Sequence, residues 1–409
     1  MNNKNLWRGL WLIFLCRFAL ALLPSFQVDM GAWLAWGSRL AEVGTANFYS
    51  EEVWTQYTPG FLYWLLAIGR LGWVHPLAIK VPVIIADMFT GYLIWKVVGK
   101  RSNKWANWAY VIYVLNPAMI IDGSIWGQID GLLALAMFGS TYLLIEKKNC
   151  YASWIVAGVA LLIKPQAIAM MPVLLGLTLI RFGVVKTLKS GLLTVSVIAL
   201  GFYPFYPNNL LGGMWELMEK MGVSYPYTSL FAFNVWSFMG MWKLDNTIWM
   251  GMSYFAWGTI AMTGAFGGLI LRYRKLLTDN SVVYLVFALA CYIFFLFPTR
   301  VHERYLIPMF AYLIAYAGVK HNKWLWVIVA GASALYSLNL YLPYSYYEAM
   351  TNPLKNIGLE NWIQDNLLPI ATVQILIFVV LWLFPARDQS KKSVPELSGH
   401  SEAVEQGRD

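Results

Sequence analysis

Along nearly the whole chain, long apolar runs alternate with short turns that carry Pro, Gly and charge. The runs fall at roughly 7–24, 77–98, 105–121, 131–145, 151–163, 167–180, 188–206, 247–271, 281–297, 305–319, 324–340 and 366–384. Their length and apolarity predict an all-α, polytopic membrane protein with about twelve transmembrane helices. Several runs fall short of the ~20 residues that cross a full bilayer. Either their true boundaries are wider, or those helices stop inside the membrane around a protein-lined cavity. One transmembrane domain over 1–385 is expected, followed by a polar tail, 386–409, disordered in the cytoplasm.

Charge orients the pattern. With the N-terminus inside, 20 of the 30 Lys and Arg fall on the cytoplasmic side, nine fall outside and Arg17 lies within the membrane. This is the positive-inside asymmetry, and it places the C-terminus inside as well. Counting 60–73 as a further span would invert everything downstream; the run is short and carries Arg70, so it reads as an interfacial helix in the first external loop. Met30 to Val43 is modestly amphipathic, with Trp33, Leu34, Leu40 and Ala41 along one side, and suits the same surface. No internal repeat is evident. The loop 207–246 is too long for a mere connection, which predicts a functional role.

Composition agrees: 59% of the chain is hydrophobic and 12% charged, with a mean hydropathy of +0.55. The abundant Trp (21) and Tyr (24) suit headgroup layers. A formal charge of +9 raises nucleic acid as a partner, but the basic residues sit in clusters between apolar runs, which is a topology signal. Cys16, Cys150 and Cys291 form neither a disulfide framework nor a metal spacing. The first run, Leu6 to Leu23, has no small-x-small cleavage site and reads as a retained span.

The polar islands that look chemical all fall on the outer side. Asp29, just beyond the first span, is placed to accept a proton from a bound hydroxyl, or to cap a helix beginning at Met30. Gln128 and Asp130, in Gly127-Gln128-Ile129-Asp130, can orient an acceptor or a headgroup, although Asp130 can equally cap the fourth span. Lys164, in Lys164-Pro165-Gln166, is either a counter-charge for phosphate or a cation snorkelling from a helix end. Arg300, His302, Glu303 and Arg304 form the densest external cluster: a phosphate clamp, or an internally paired helix start. Arg17 and Asp87, both within spans, are expected to pair with each other and serve structure, in which case exchanging the two charges preserves folding.

The order Asp29, Tyr57-Thr58-Pro59-Gly60, Asn116-Pro117, Gly-Gln-Ile-Asp, Lys-Pro-Gln and His302-Glu303-Arg304-Tyr305 resembles the GT-C membrane glycosyltransferases. Within them it is most similar to bacterial relatives of the GPI-anchor second mannosyltransferase, over roughly 26–310. The resemblance implies a GT-C helical bundle in a bacterial cytoplasmic membrane with its active site outside. It further implies transfer of a hexose, mannose by analogy, from a polyprenyl-phosphate donor to a glycan, lipid or protein acceptor, with inversion. Asp29 then stands at the general base, and Lys164, Arg300, His302 and Arg304 are candidates for the donor phosphate. Tyr57, Gln128, Asp130, Gln166, Tyr227, Asn234, Trp236 and Glu303 are candidates for substrate contact. Such enzymes commonly need no metal, and no cofactor is expected. Phe231, where relatives often carry Asn, and Thr58, where a second Pro is common, depart from the pattern.

A transporter or flippase of lipid-linked sugars is the main rival, and a polysaccharide ligase or polymerase another. Transporters usually carry ionisable groups near mid-membrane, often within inverted repeats. Charges gathered at one face favour an enzyme.

Overall fold

A computed structural model describes residues 3–50, 53, 55, 57–275, 277–347 and 352–384. The expected tail at 386–409 lies outside the described residues. The first elements are α1 (Asn3–Ala21), α2 (Gln27–Val43), α3 (Pro59–Arg70), α4 (Pro76–Gly99) and α5 (Asn103–Val114). A short α6 (Pro117–Met119) runs into a π-helical turn, Ile120–Trp126. Then come α7 (Asp130–Ile145), α8 (Cys150–Ile163), a 3-10 turn Pro165–Met170 and α9 (Met171–Phe202). After α10 (Leu210–Val223) the chain makes a 3-10 turn, Val235–Met239, and the hairpin β1 (Ile248–Trp249) and β2 (Met252–Ser253). It closes with α11 (Tyr254–Tyr273), α12 (Asn280–Leu296), α13 (Ile307–Lys320), α14 (Lys323–Tyr347), α15 (Ile357–Asp365) and α16 (Leu367–Leu383).

Among the described residues, five helical stretches are long and apolar enough to cross a membrane: Pro76–Gly99, Asn103–Trp126, Pro165–Phe202, Tyr254–Tyr273 and Lys323–Tyr347. The pair α15–α16, bent by 67°, makes a sixth if it is one span, and five shorter apolar helices accompany them. Every expected span meets one of these helices. Two of them, 167–180 and 188–206, are joined in α9, which breaks at Gly183, where φ is 79°. The expected span at 247–271 starts late, because 248–253 turn as the β-hairpin before α11 begins.

Burial sorts the helices. α13 is buried on every side and packs against α4, α5, α7, α12 and α14, so it is the axis of the bundle. α9 instead leaves Leu175, Leu179, Val184, Leu188, Leu192 and Val195 exposed, an outer surface suited to lipid. Polar caps end the helices where the turns demand them: Ser102, Asn149, Asn209 and Asp279 each accept a first-turn N–H.

Arg17 and Asp87 do pair, Nη1 to Oδ2 at 2.7 Å, with both side chains buried. Arg17 does more than meet a carboxylate, however. It also donates to Ser124 Oγ at 2.9 Å and to the carbonyls of Met119 at 3.0 Å and Val114 at 3.5 Å, stitching α1 to the π-turn.

The Tyr57-Thr58-Pro59-Gly60 turn docks α3 on the end of α8. Thr58 Oγ1 donates to the carbonyl of Leu162 at 2.7 Å, and a Cβ on Gly60 would stand 2.4 Å from that same oxygen. No side chain fits there. Gly60→Ala is therefore expected to cost about 1–3 kcal/mol by forcing the two backbones apart. An unchanged midpoint of thermal unfolding in detergent would refute this reading of the turn.

Candidate active site

Helix α2, the segment leading into α3 and the loops before α9, α11 and α13 enclose a cavity of about 360 Å3. Its volume is in the range of small-molecule sites. Asp29 reaches it from α2. That helix begins at Gln27 with Phe26 at its N-cap, so Asp29 sits in the first turn and does not cap it, correcting one of the two sequence readings. The periodicity of α2 then turns Asp29, Trp33 and Trp36 to the same wall.

Behind Asp29 runs a polar chain. Gln128 donates through Nε2 to Asp29 Oδ2. Lys164 Nζ donates to Gln128 Oε1 at 3.1 Å and to Asp130 Oδ2 at 2.9 Å, and Gln166 Nε2 donates to Asp130 Oδ1 at 2.7 Å. Three motifs far apart in sequence thus become one network. Lys164 is 3% exposed, so it does not snorkel, and Asp130 caps nothing because Ile129 holds the N-cap of α7. Gln128 and Asp130 lie behind the cavity wall, whereas Lys164 and Gln166 line it. Lys164 Nζ also stands 5.7 Å from the ring centroid of Tyr57, which packs on Trp33 and Trp36. Burial holds the Lys164 ammonium below its ordinary pKa against the opposing pull of Asp130.

The 300–305 cluster splits into different duties. Arg304 lines the cavity; its Nη1 donates to Glu303 Oε1 at 2.9 Å and lies 3.3 Å from His302 Nδ1, and its buried Nε has no hydrogen-bond partner among the described residues. Burial acts to lower the Arg304 pKa, but the charges of Asp29 and Glu303 outweigh it and keep the guanidinium charged. His302 is pushed below the usual imidazole value by burial and by Arg304, so it is neutral near pH 7. His302 is therefore not the second cation of a clamp. Glu303 is held below the usual carboxylate value: burial would raise it, and the hydrogen bond from His302 and the charge of Arg304 outweigh that.

Arg300 reaches the rim but is committed elsewhere. Its Nε donates to Asp245 Oδ2 at 2.6 Å and its Nη2 to Asp245 Oδ1 at 3.2 Å, while Nη1 meets the carbonyl of Gly222. The guanidinium also stacks over Phe255 at 4.5 Å. These contacts fasten the loop before α13 to the long loop 207–246. Two of the expected sugar contacts in that loop are likewise structural. Asn234 is fully buried, caps the 3-10 turn and donates to the carbonyl of Phe295, and Trp236 donates to Phe297. Tyr227 packs on Trp242 and does not line the cavity. The loop instead contributes Met221, Tyr225, Phe231 and Trp242. Met221 and Trp242 were not singled out from sequence, and Phe231 was noted there only as a departure from the family pattern. Phe231, Trp242 and Arg300 all have left-handed backbone, with φ of 62°, 57° and 65°. Such conformations in non-glycine residues cluster where a site constrains them.

No cluster of three His, Cys, Asp or Glu suited to a metal occurs among the described residues.

The sequence matches no protein-family model and no curated protein. Among solved structures the chain is similar to ArnT from Cupriavidus metallidurans in its apo state, at 14% identity and a TM-score of 0.56, covering 91% of this chain and 76% of that one. It is also similar to the same protein bound to undecaprenyl phosphate, at 15% identity and a TM-score of 0.59, covering 93% and 76%. The chain is accordingly a multi-pass membrane protein with an ArnT-like fold.

Proposed function

We propose that the protein is a membrane glycosyltransferase that moves a sugar from a polyprenyl-phosphate donor to an acceptor hydroxyl, with Asp29 as general base. The observation that carries this reading is the sharing of one cavity by a carboxylate steadied from behind and two cations, Lys164 and Arg304. In the step, the acceptor oxygen bonds to the anomeric carbon as the carbon–oxygen bond to phosphate breaks. The bonding pair leaves with polyprenyl phosphate, the hydroxyl proton passes to Asp29, and attack from the opposite face inverts the centre. Arg304, with one buried donor unpaired among the described residues, and Lys164 meet the negative charge growing on the leaving phosphate. The likeness to ArnT bound to undecaprenyl phosphate supports a polyprenyl-phosphate ligand. The order of sequence motifs supports a hexose, with mannose the first donor to test.

The same reading takes the membrane to be a bacterial cytoplasmic membrane crossed about twelve times, with both termini inside and the cavity outside, as the basic residues suggest. The acceptor is a glycan, a lipid or a protein.

The test is purified protein in detergent, a polyprenyl-phosphate-mannose donor and a membrane glycan extract, with release of free polyprenyl phosphate as the readout. Extract-dependent release is expected. Donor binding without release would reject mannose or this acceptor class. Failure to bind any polyprenyl-phosphate sugar would reject the transferase.

The two arginines separate its elements. Arg304→Lys is expected to lower the turnover rate by about 10²-fold, because an ammonium cannot replace the planar donors. Arg300→Lys should leave the rate nearly unchanged and lower the unfolding midpoint, since buried Asp245 loses its two-point partner. Steady-state transfer and thermal unfolding, measured on both variants, check the pair. A rate loss in Arg300→Lys equal to that of Arg304→Lys would return Arg300 to the phosphate.

A further inference from the structure

Beside the cavity just described lies a second, of about 500 Å3, to which the transfer step assigns no role. The two share Phe231, Trp242 and Tyr347 as a common wall. The wall is ring against ring: Phe231 meets Trp242 at 5.4 Å between centroids and Tyr347 at 5.7 Å. Tyr346 packs on Phe231 at 5.5 Å and on Tyr347 at 5.1 Å. It stands close to the base, because Phe26, three residues before Asp29, packs edge-on against Tyr347 at 6.0 Å.

Phe231 is kept in this wall at a price in backbone conformation, with φ at 62°, where a bulky side chain is rarely found. Asn339 of α14, almost fully buried, holds it there. It donates to the Phe231 carbonyl at 2.5 Å and accepts from the Phe233 N–H at 3.1 Å. A buried amide spent on keeping one aromatic ring between two cavities points to a ligand that passes the ring.

The chemistry of the second cavity says what that ligand is. Trp242, Tyr346 and Tyr347 are 37%, 52% and 46% exposed, so their faces and phenols are reachable. Gln364 adds an amide, and no charged side chain lines the cavity among the described residues. Aromatic faces cover the C–H faces of a pyranose while phenols and amides meet its hydroxyls. An isoprenoid tail would strand those polar groups without partners. A phosphate would find no cation.

We propose that this second cavity is the acceptor site, and that the acceptor presents an uncharged saccharide there, sending one hydroxyl across the aromatic wall to Asp29. The inference rests on the glycosyl-transfer reading and adds the class of acceptor to it.

Tyr346 and Gln364 line only the second cavity, which makes them the positions to change. Transfer from polyprenyl-phosphate-mannose would be measured on the full chain against rising membrane glycan extract, with donor binding followed separately. Tyr346→Ala and Gln364→Ala are expected to raise the half-saturating extract concentration by about tenfold, with donor binding and the limiting rate kept. Tyr346→Phe, which keeps the ring and loses the hydroxyl, should fall between, and it guards against a misfolded alanine variant. An unchanged half-saturation in all three overturns the proposal while transfer by the wild type still stands. Weakened donor binding with unchanged extract dependence overturns it too, by giving the cavity to the carrier's tail. If the wild type neither binds nor turns over the donor, the transferase reading fails first and takes the acceptor site with it.

Discussion

On the proposed glycosyl-transfer reading, Asp29→Asn is expected to slow sugar transfer by about 10²–10⁴-fold, the usual worth of a positioned general base, and to leave donor binding as it was. The separation of the two effects follows from geometry. Gln128 Nε2 donates to Asp29 Oδ2, and an asparagine oxygen accepts that bond as well, so the variant keeps its place in α2. Lys164 and Arg304 still face the cavity, and the donor phosphate still finds them. What is lost is the group that takes the acceptor's proton. Release of polyprenyl phosphate and donor binding, measured in parallel on both proteins, decide the matter. A variant that transfers at the wild-type rate excludes Asp29 as the base, and one that loses donor binding recasts it as a binding residue.

Arg17→Met or Asp87→Asn each destabilises the protein by about 3–5 kcal/mol, because each leaves one half of a buried pair uncompensated. Exchanging the two charges does not rescue folding, contrary to the expectation from sequence. An aspartate at 17 would face the carbonyls of Met119 and Val114, which accept from Arg17 in the native fold and offer nothing to an anion. Replacing both, Arg17→Met with Asp87→Leu, recovers only part of the loss, since those carbonyls then lack a donor. Unfolding midpoints of the single, exchanged and double apolar variants in detergent are the comparison. Full recovery in the exchanged protein would show that the pair acts as charges alone.

Much of the helical order was legible because a membrane imposes a one-dimensional rule. A helix must be apolar over most of its length, so its existence shows in the local sequence, and each expected span meets a helix. The same rule made Asp29, Lys164 and Arg304 conspicuous as polar residues between apolar runs. The rest of the cavity was harder to read. Asp29, Trp33 and Trp36 recur at helical spacing, a signal present in the sequence once α2 is known to start at Gln27. For Phe231, Trp242 and Tyr347 no local pattern exists, since aromatic residues abound throughout this chain.

Roles diverged where partners are distant. Arg300 and Arg304 stand four positions apart with the same side chain, yet Asp245, 55 residues away from Arg300, claims one guanidinium, while the other faces the cavity. Asn234 and Trp236 were legible as polar and aromatic, but carbonyls of α12 and the loop after it direct them inward. The sequence by itself determined a helical membrane bundle and the placing of its reactive residue types in the turns between apolar runs, because apolarity and charge are properties of each segment alone. Only the tertiary structure decided which of those residues bond to each other and which face the cavity, because a buried polar group takes whatever partner the packing sets beside it.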